Sequence, residues 1–183
     1  MSVFPGQVAV VVGLGVAGLL HLQLLLARGL RTVIGVSRSP AKLQLATKLG
    51  AAVVVSPDQA HEAVADVTHG DGADLVVESA GTVDTLRQSV ELAGMAATVL
   101  LFGTITDHNG ELPFYQLYFK ELDIRSTRAA RPGDYANAIH LVGSGAVRLA
   151  DLVTSSFPLS DIAAALVACE RDPEQLKVTL DIS

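Results

Sequence analysis

The sequence contains a single cysteine, Cys169, among its 183 residues. One thiol cannot form an internal disulfide, and it cannot supply a zinc site built from several cysteines. The low cysteine content favours a reducing compartment, so we expect a cytoplasmic protein. Because cysteine commonly behaves as a small apolar side chain, Cys169 is expected to lie in the core.

Acidic residues are absent from the first third of the chain, where no Asp or Glu precedes Asp58. Residues 1–57 carry five Lys or Arg side chains and a local charge of +5, whereas the remaining 126 residues carry 8 basic and 19 acidic side chains. The net charge of −6 argues against a general nucleic-acid binder. The basic first third indicates a local anionic ligand, although chance placement of surface charge gives the same pattern.

Charged side chains are absent from the first 27 residues, which raises the question of a membrane or signal segment. No Lys or Arg precedes the apolar stretch, as a secretory signal would require. Polar and flexible positions interrupt the stretch at Gly13, Gly15, Gly18, His21 and Gln23. A short strand followed by a helix explains it better than a membrane span of about 20 residues. We therefore expect no membrane association.

Short apolar runs alternate with helical segments along most of the chain. Six strands are predicted, at residues 7–12, 32–36, 52–55, 73–77, 96–102 and 122–126. Helices are predicted between them, at residues 16–28, 40–48, 58–68, 83–92 and 114–119, with Asp58 as the cap of the third. This alternation predicts βαβ units and a parallel sheet with helices on both faces. The fold class is α/β, a doubly wound Rossmann sheet of six parallel strands.

The last third of the chain departs from this alternation. Its predicted elements are a helix at residues 132–142, a strand at 152–157, a helix at 160–169 and a strand at 176–182. We expect residues 1–127 to form a dinucleotide-binding domain and residues 128–183 to form a C-terminal segment with a strand-helix-strand appendage.

A glycine motif of the form G-x-G-x-x-G lies between the first predicted strand and helix. Its six positions are Gly13, Leu14, Gly15, Val16, Ala17 and Gly18. Gly13 permits a tight turn, Gly15 lets the backbone approach a pyrophosphate, and Gly18 lets the helix pack closely on the strand. The following helix N-terminus offers unpaired N–H groups to phosphates. These flanks are typical of a dinucleotide site rather than of a turn that serves packing alone. Leu19 and Leu20 replace the Lys and Ser/Thr of a Walker A loop, which excludes that motif.

The end of the second strand indicates which dinucleotide binds. NAD sites usually have Asp or Glu there, about 20 residues past the glycines, bonded to the ribose 2′-OH. Here Ser37 stands 19 residues after Gly18 and is followed by Arg38 and Lys42. A hydroxyl and two cations suit the 2′-phosphate of NADP(H). NAD(H) remains the alternative, in which Arg38 and Lys42 are solvated surface groups.

Several segments together resemble one known family. They are residues 5–8 (Pro-Gly-Gln-Val), 48–51 (Lys-Leu-Gly-Ala), 72–78 (Gly-Ala-Asp-Leu-Val-Val-Glu), 100–103 (Leu-Leu-Phe-Gly), 152–154 (Leu-Val-Thr), 158–161 (Pro-Leu-Ser-Asp) and 177–180 (Lys-Val-Thr-Leu). The chain resembles the cofactor-binding half of the medium-chain dehydrogenases/reductases, the zinc-type alcohol dehydrogenase superfamily. The set Ser37, Arg38 and Lys42 is similar to that of its NADP-dependent members.

The resemblance implies a role for the chain in hydride transfer between NADP(H) and an alcohol or carbonyl substrate. It implies backbone contacts to ribose and nicotinamide at Ala80, Gly81, Phe102 and Gly103. The family's catalytic domain, which carries the zinc ligands and the proton relay, precedes this segment and is missing from the sequence. We therefore expect no catalytic residue and no metal ligand in the chain, and no dehydrogenase activity from it alone. The resemblance also implies a homodimer through Leu122–Ser126. This strand is expected at the edge of the sheet, where an antiparallel copy across a two-fold axis would place Asp123 near Arg125 of the partner.

Two other hypotheses for the function of the chain stay open. The chain could be a stand-alone NADP(H)-binding or sensing module without catalysis, or an NAD-linked enzyme of another Rossmann class. Glu78, at the end of the fourth strand, either lines the cofactor cleft or has a structural role in the following turn.

Overall fold

The central feature of the computed structural model, which describes residues 3–182, is a six-stranded parallel sheet in the order β3-β2-β1-β4-β5-β6. Its strands are β1 (Val8–Val12), β2 (Thr32–Val36), β3 (Val53–Val55), β4 (Ala73–Glu78), β5 (Ala93–Leu101) and β6 (Asp123–Ser126). The connecting helices are α1 (Val16–Ala27), α2 (Pro40–Lys48), α3 (Ala60–Thr68), α4 (Val83–Leu92) and α5 (Phe114–Phe119). The predicted α/β class and doubly wound sheet are confirmed.

Apolar side chains fill both faces of this sheet. Consecutive residues of a strand point to opposite faces. Val11 belongs to a core cluster with Leu19 and Leu22 of α1, whereas Val10 belongs to the cluster on the other face with Val64 of α3. The first strand therefore has to be apolar at every position rather than at alternate ones.

Local sequence signals set several of the helix starts. The Ser39 hydroxyl caps α2 by accepting a hydrogen bond from the Lys42 N–H at 3.2 Å, and Pro40 occupies the first helical position. The expectation that Asp58 caps the next helix is wrong. Asp58 lies inside a 3₁₀ turn, Pro57–Gln59, and α3 begins after it at Ala60.

The fifth strand begins earlier than the apolar run predicts. β5 starts at Ala93, and its register against β4 shifts between the pairs made by Ala73 and Leu75. Ala96 has a φ of +54° within this irregularity. From Ala73 to Leu75 the fourth strand advances two residues, while the fifth advances five, from Ala93 to Thr98. Such an irregularity leaves no mark in the hydrophobic pattern, so the earlier start carries no sequence signal.

The C-terminal segment adds α6 (Pro132–Gly143), β7 (Val153–Pro158), α7 (Ile162–Arg171) and β8 (Lys177–Asp181). β7 and β8 pair in parallel as a separate two-stranded sheet, with α7 connecting them, so the strand-helix-strand appendage is confirmed. Leu152 enters the core cluster of α1, and Lys48 Nζ lies 2.7 Å from Asp151 Oδ1. These contacts attach the start of the appendage to the face of the sheet that carries α1 and α2.

Much of the surface of the C-terminal segment is apolar and exposed. Tyr135 and Ile139 of α6 are 65% and 73% exposed, and Leu166 of α7 is 60% exposed. The expectation that Cys169 lies in the core is wrong, because its side chain is exposed on α7. Within residues 3–182, no helix combines the length and the apolar character that a membrane crossing needs.

Candidate functional site

A cleft of about 1100 Å³ opens at the carboxyl ends of β1, β2 and β4. The glycine motif, the end of β2 and the turn after β4 border it, together with α4 and two residues of the C-terminal segment, Pro173 and Glu174. In the sheet, β1 has β2 on one side and β4 on the other, so the direction in which the chain adds strands reverses at β1. This reversal of strand order is where doubly wound sheets bind ligands.

The three motif glycines have different surroundings at the cleft. Gly13 has a φ of +94°, and its N–H donates to the Val36 carbonyl at 3.0 Å. Gly15 is the N-cap of α1, and a Cβ built on it would meet no atom within 4 Å. A Cβ on Gly18 would collide with the Gly13 carbonyl oxygen. The loop thus needs glycine for its conformation at 13 and for close packing at 18, while position 15 leaves space on the cleft side.

The end of β2 brings the predicted phosphate-binding side chains together. Ser37, Arg38 and Lys42 all line the cleft, where Arg38 is exposed and the other two are half-buried. Ser37 Oγ accepts a hydrogen bond from the Ser39 N–H at 3.2 Å. Lys42 Nζ donates to the Pro173 carbonyl at 2.7 Å. One hydroxyl and two cations therefore face the same end of the cleft.

A carboxylate reaches this end of the cleft from a distant part of the chain. Ser39 Oγ lies 2.9 Å from Oε1 and 2.7 Å from Oε2 of Glu174, which is 135 residues further along. Ser39, Pro173 and Glu174 were missed by reasoning from the sequence. The cap position of Ser39 was the available signal for that residue. No local pattern marks Pro173 or Glu174, because tertiary packing alone brings them here.

Glu78 has a structural role in the turn that follows β4. Its side chain is completely buried, and Oε1 accepts hydrogen bonds at 2.8 Å from the N–H groups of Ala80 and Gly81 and from Thr85 Oγ1. Of the two readings of Glu78, the structure favours the one that places it in the turn. Ala80 lines the cleft, so the carboxyl group shapes the cleft wall from behind.

The other predicted residues lie outside the main cleft. Val16, Ala17 and Phe102 border a second hollow of about 350 Å³ that also contains His21. His21 Nδ1 lies 2.8 Å from the Ala17 carbonyl oxygen, and the ring centroids of His21 and Phe102 are 4.5 Å apart. Burial lowers the pKa of His21, and the bond to Ala17 opposes this only in part. The neutral imidazole is therefore favoured in this apolar hollow.

Gly81, Gly103 and Gly18 are packing positions beside the cleft. Gly81 has a φ of +81°, and a Cβ on Gly103 would collide with the Gly81 N–H and with Glu78 Oε2. Gly18 is buried beneath the glycine loop. Among residues 3–182, no cluster of three or more His, Cys, Asp or Glu side chains could hold a metal ion.

Comparisons with known proteins place these features in a family. The family model described as "Zinc-binding dehydrogenase" matches residues 16–144. A sorbitol dehydrogenase from Halalkalibacterium halodurans is 28% identical over 182 residues, covering 98% of this chain and 53% of the relative. D-xylulose reductase A from Aspergillus oryzae is 29% identical over 170 residues, covering 90% of this chain and 47% of the relative.

Solved structures give the same result. The 2R,3R-butanediol dehydrogenase from Bacillus subtilis superimposes with a TM-score of 0.89 at 25% identity, covering 99% of this chain and 52% of that one. A zinc-binding dehydrogenase structure from Sinorhizobium meliloti, bound to NADP, superimposes with a TM-score of 0.84 at 28% identity, covering 97% and 53%. The chain thus spans about half the length of the relatives it matches.

Proposed function

Because the chain belongs to the zinc-binding dehydrogenase family, we propose that it is the cofactor-binding portion of an oxidoreductase that transfers hydride between NADP(H) and an alcohol or carbonyl substrate. One observation carries the choice of cofactor: Ser37, Arg38 and Lys42 line one end of the cleft, and β2 itself contributes no carboxylate there. The NADP-bound relative supports the same choice. We likewise propose, for the whole protein, that the substrate is an alcohol or a carbonyl compound.

The cleft residues fit a dinucleotide. The empty space beside Gly15 leaves room for a pyrophosphate against the backbone, and the first N–H groups of α1 have no partners within the helix. Arg38 and Lys42 supply positive charge for a 2′-phosphate at the end of β2. When bound, the nicotinamide accepts or donates the hydride. The residues of this chain hold the cofactor in place, and Phe102 and His21 line an apolar hollow beside the glycine motif.

We predict that the chain binds NADPH more tightly than NADH and that Arg38→Ala weakens NADPH binding about 10- to 100-fold. A charge-assisted hydrogen bond to the 2′-phosphate is lost, whereas NADH has no phosphate at that position. Calorimetric titration of both cofactors measures the effect. Arg31→Ala is the matched control, because Arg31 is also exposed but lies outside the cleft. Equal affinities for the two cofactors, or an Arg38→Ala variant that binds NADPH normally, would contradict the assignment.

We also propose that the protein forms a homodimer through β6. This strand lies at the edge of the sheet, pairs with β5, and has all four residues exposed. An exposed edge strand offers free backbone groups to an antiparallel copy across a two-fold axis. Asp123 and Arg125 were expected to pair between subunits. In the structure Arg125 Nε donates to Asp123 Oδ2 of the same strand at 2.7 Å, so these charges satisfy each other within one chain.

The dimer is tested at Ile124, which is 44% exposed on β6. Ile124→Lys is expected to shift the protein from dimer to monomer, because a lysine on an edge strand opposes pairing between strands. Ile124→Val, which keeps the branched apolar side chain, should leave the dimer intact. Light scattering measures the mass, and circular dichroism checks that both variants are folded. A monomer mass for the unmodified chain would refute the proposal.

We also propose a cytoplasmic location for the protein. The single exposed cysteine agrees with this location.

A further inference from the structure

A turn at residues 172–175, here called the C-terminal turn, connects α7 to β8 and borders the cleft. Asp172 organises it: its Oδ1 accepts from the Glu174 N–H at 2.9 Å, and its carbonyl accepts from the Gln175 N–H at 3.1 Å. The Gln175 side chain is in turn bonded to Thr154 and Ser155 of β7. The turn is therefore attached to the appendage in a defined conformation.

Two contacts join the C-terminal turn to the start of α2. The Ser39 hydroxyl donates to the Glu174 carboxylate, whose oxygens lie 2.7 and 2.9 Å away, and Lys42 Nζ donates to the Pro173 carbonyl at 2.7 Å. Ser39 and Lys42 border the same end of the cleft as Ser37 and Arg38. The turn thus engages one of the two cations that face this end and places a negative charge beside them.

The effect of this carboxylate depends on what the adenosine ribose carries. A 2′-phosphate is repelled by a carboxylate at the same position, so its approach favours movement of the turn away from Ser39 and Lys42. A 2′-hydroxyl can instead donate a hydrogen bond to a carboxylate, as it does to the Asp or Glu that ends the second strand in NAD sites. The C-terminal turn therefore supplies, through the tertiary structure, the acidic group that β2 lacks.

We propose that Glu174 is a specificity-determining residue that lowers the affinity for NADPH relative to NADH. NADPH has to displace the C-terminal turn when it binds. The inference rests on the cofactor site proposed above. Arg38 and Lys42 attract the 2′-phosphate, and Glu174 limits how strongly they can favour it.

The test is calorimetric titration of NADPH and NADH into the full chain and its Glu174→Gln variant. Glutamine keeps the size of the side chain and removes its charge. We expect NADPH to bind about 5- to 20-fold more tightly to the variant at low salt, with NADH unchanged or weaker, and the gain to shrink at high salt because Glu174 is exposed. Glu170→Gln is the matched control, since Glu170 is exposed on α7 and lies outside the cleft.

Two shorter probes locate the effect at the adenosine end. Adenosine 2′,5′-bisphosphate should gain affinity for the Glu174→Gln variant as NADPH does, and AMP should not. An unchanged NADPH affinity in this variant, or an equal gain for NADPH and NADH, overturns the proposal. The Arg38→Ala variant decides the cofactor site separately. If Arg38→Ala weakens NADPH binding while Glu174→Gln has no effect, the proposed cofactor site is supported and the proposed role of Glu174 is refuted.

Discussion

Replacing Glu78 with alanine is expected to lower the free energy of unfolding by about 3–4 kcal/mol. Three hydrogen bonds of 2.8 Å end on Oε1 of this buried side chain, from the Ala80 and Gly81 N–H groups and from Thr85 Oγ1. Alanine removes their shared acceptor and leaves a cavity behind the turn. Because Ala80 forms part of the cleft wall, cofactor affinity should fall together with stability.

Two further variants separate hydrogen bonding from volume. Glu78→Gln keeps one acceptor oxygen and nearly the same volume, so it should lose less stability than Glu78→Ala. Glu62→Ala alters an exposed glutamate on α3 and should change the unfolding free energy by no more than about 0.5 kcal/mol. Urea denaturation followed by circular dichroism gives all three values. If Glu78→Ala lowered the free energy of unfolding no more than Glu62→Ala does, the buried carboxyl group would have no structural role.

Replacing Gly18 with alanine is expected to cost about 2–3 kcal/mol of stability. The new Cβ would collide with the Gly13 carbonyl oxygen and would lie 3.3 Å from Val11 Cγ1. A backbone oxygen cannot rotate away as a flexible side chain can, so α1 must shift from the sheet. This cost exceeds the gain of about 1 kcal/mol that alanine normally brings to a helix interior.

Gly15→Ala is the matched control for this prediction. Its Cβ would meet no atom within 4 Å, and its φ of −70° suits any residue. Stability should therefore change by no more than about 1 kcal/mol, the scale of an N-cap substitution. NADPH binding should nevertheless fall, because the Cβ projects into the space left for the pyrophosphate. Thermal unfolding and cofactor titration of both variants test the two roles. Comparable stability losses at the two positions would show that the glycines are not specialised in this way.

Local patterns were enough to predict most elements of the central sheet. The bounds of β2, α4 and α5 agree with the sequence predictions. The reason is physical, since a strand covered on both faces must be apolar throughout and a cap residue acts within three or four positions. The placement of the glycine motif and of Ser37, Arg38 and Lys42 along the cleft was predictable for the same reason, because each depends on residues close together in the chain. Their binding of a cofactor stays a prediction.

Side-chain burial and the residue at which a helix begins were predicted poorly. The expected positions of Cys169 in the core and of Asp58 as a helix cap are both wrong. Glu78 had two readings of equal weight until its burial and its three donors were known. In each case the sequence identifies the side chain but leaves open whether solvent, backbone or another element lies against it.

The sequence by itself determined the fold class, the order of the elements and the residue types at the ends of β1 and β2, where the cleft lies. These follow from hydrophobic periodicity, glycine conformation and neighbouring polar groups, which act over a few residues. Only the tertiary structure decided that Glu174 lies against Ser39, 135 residues away. That contact requires the pairing of β7 with β8 and the docking of Leu152 into the core. No local pattern specifies where such a turn comes to rest, because its position is set by the summed packing of the whole domain.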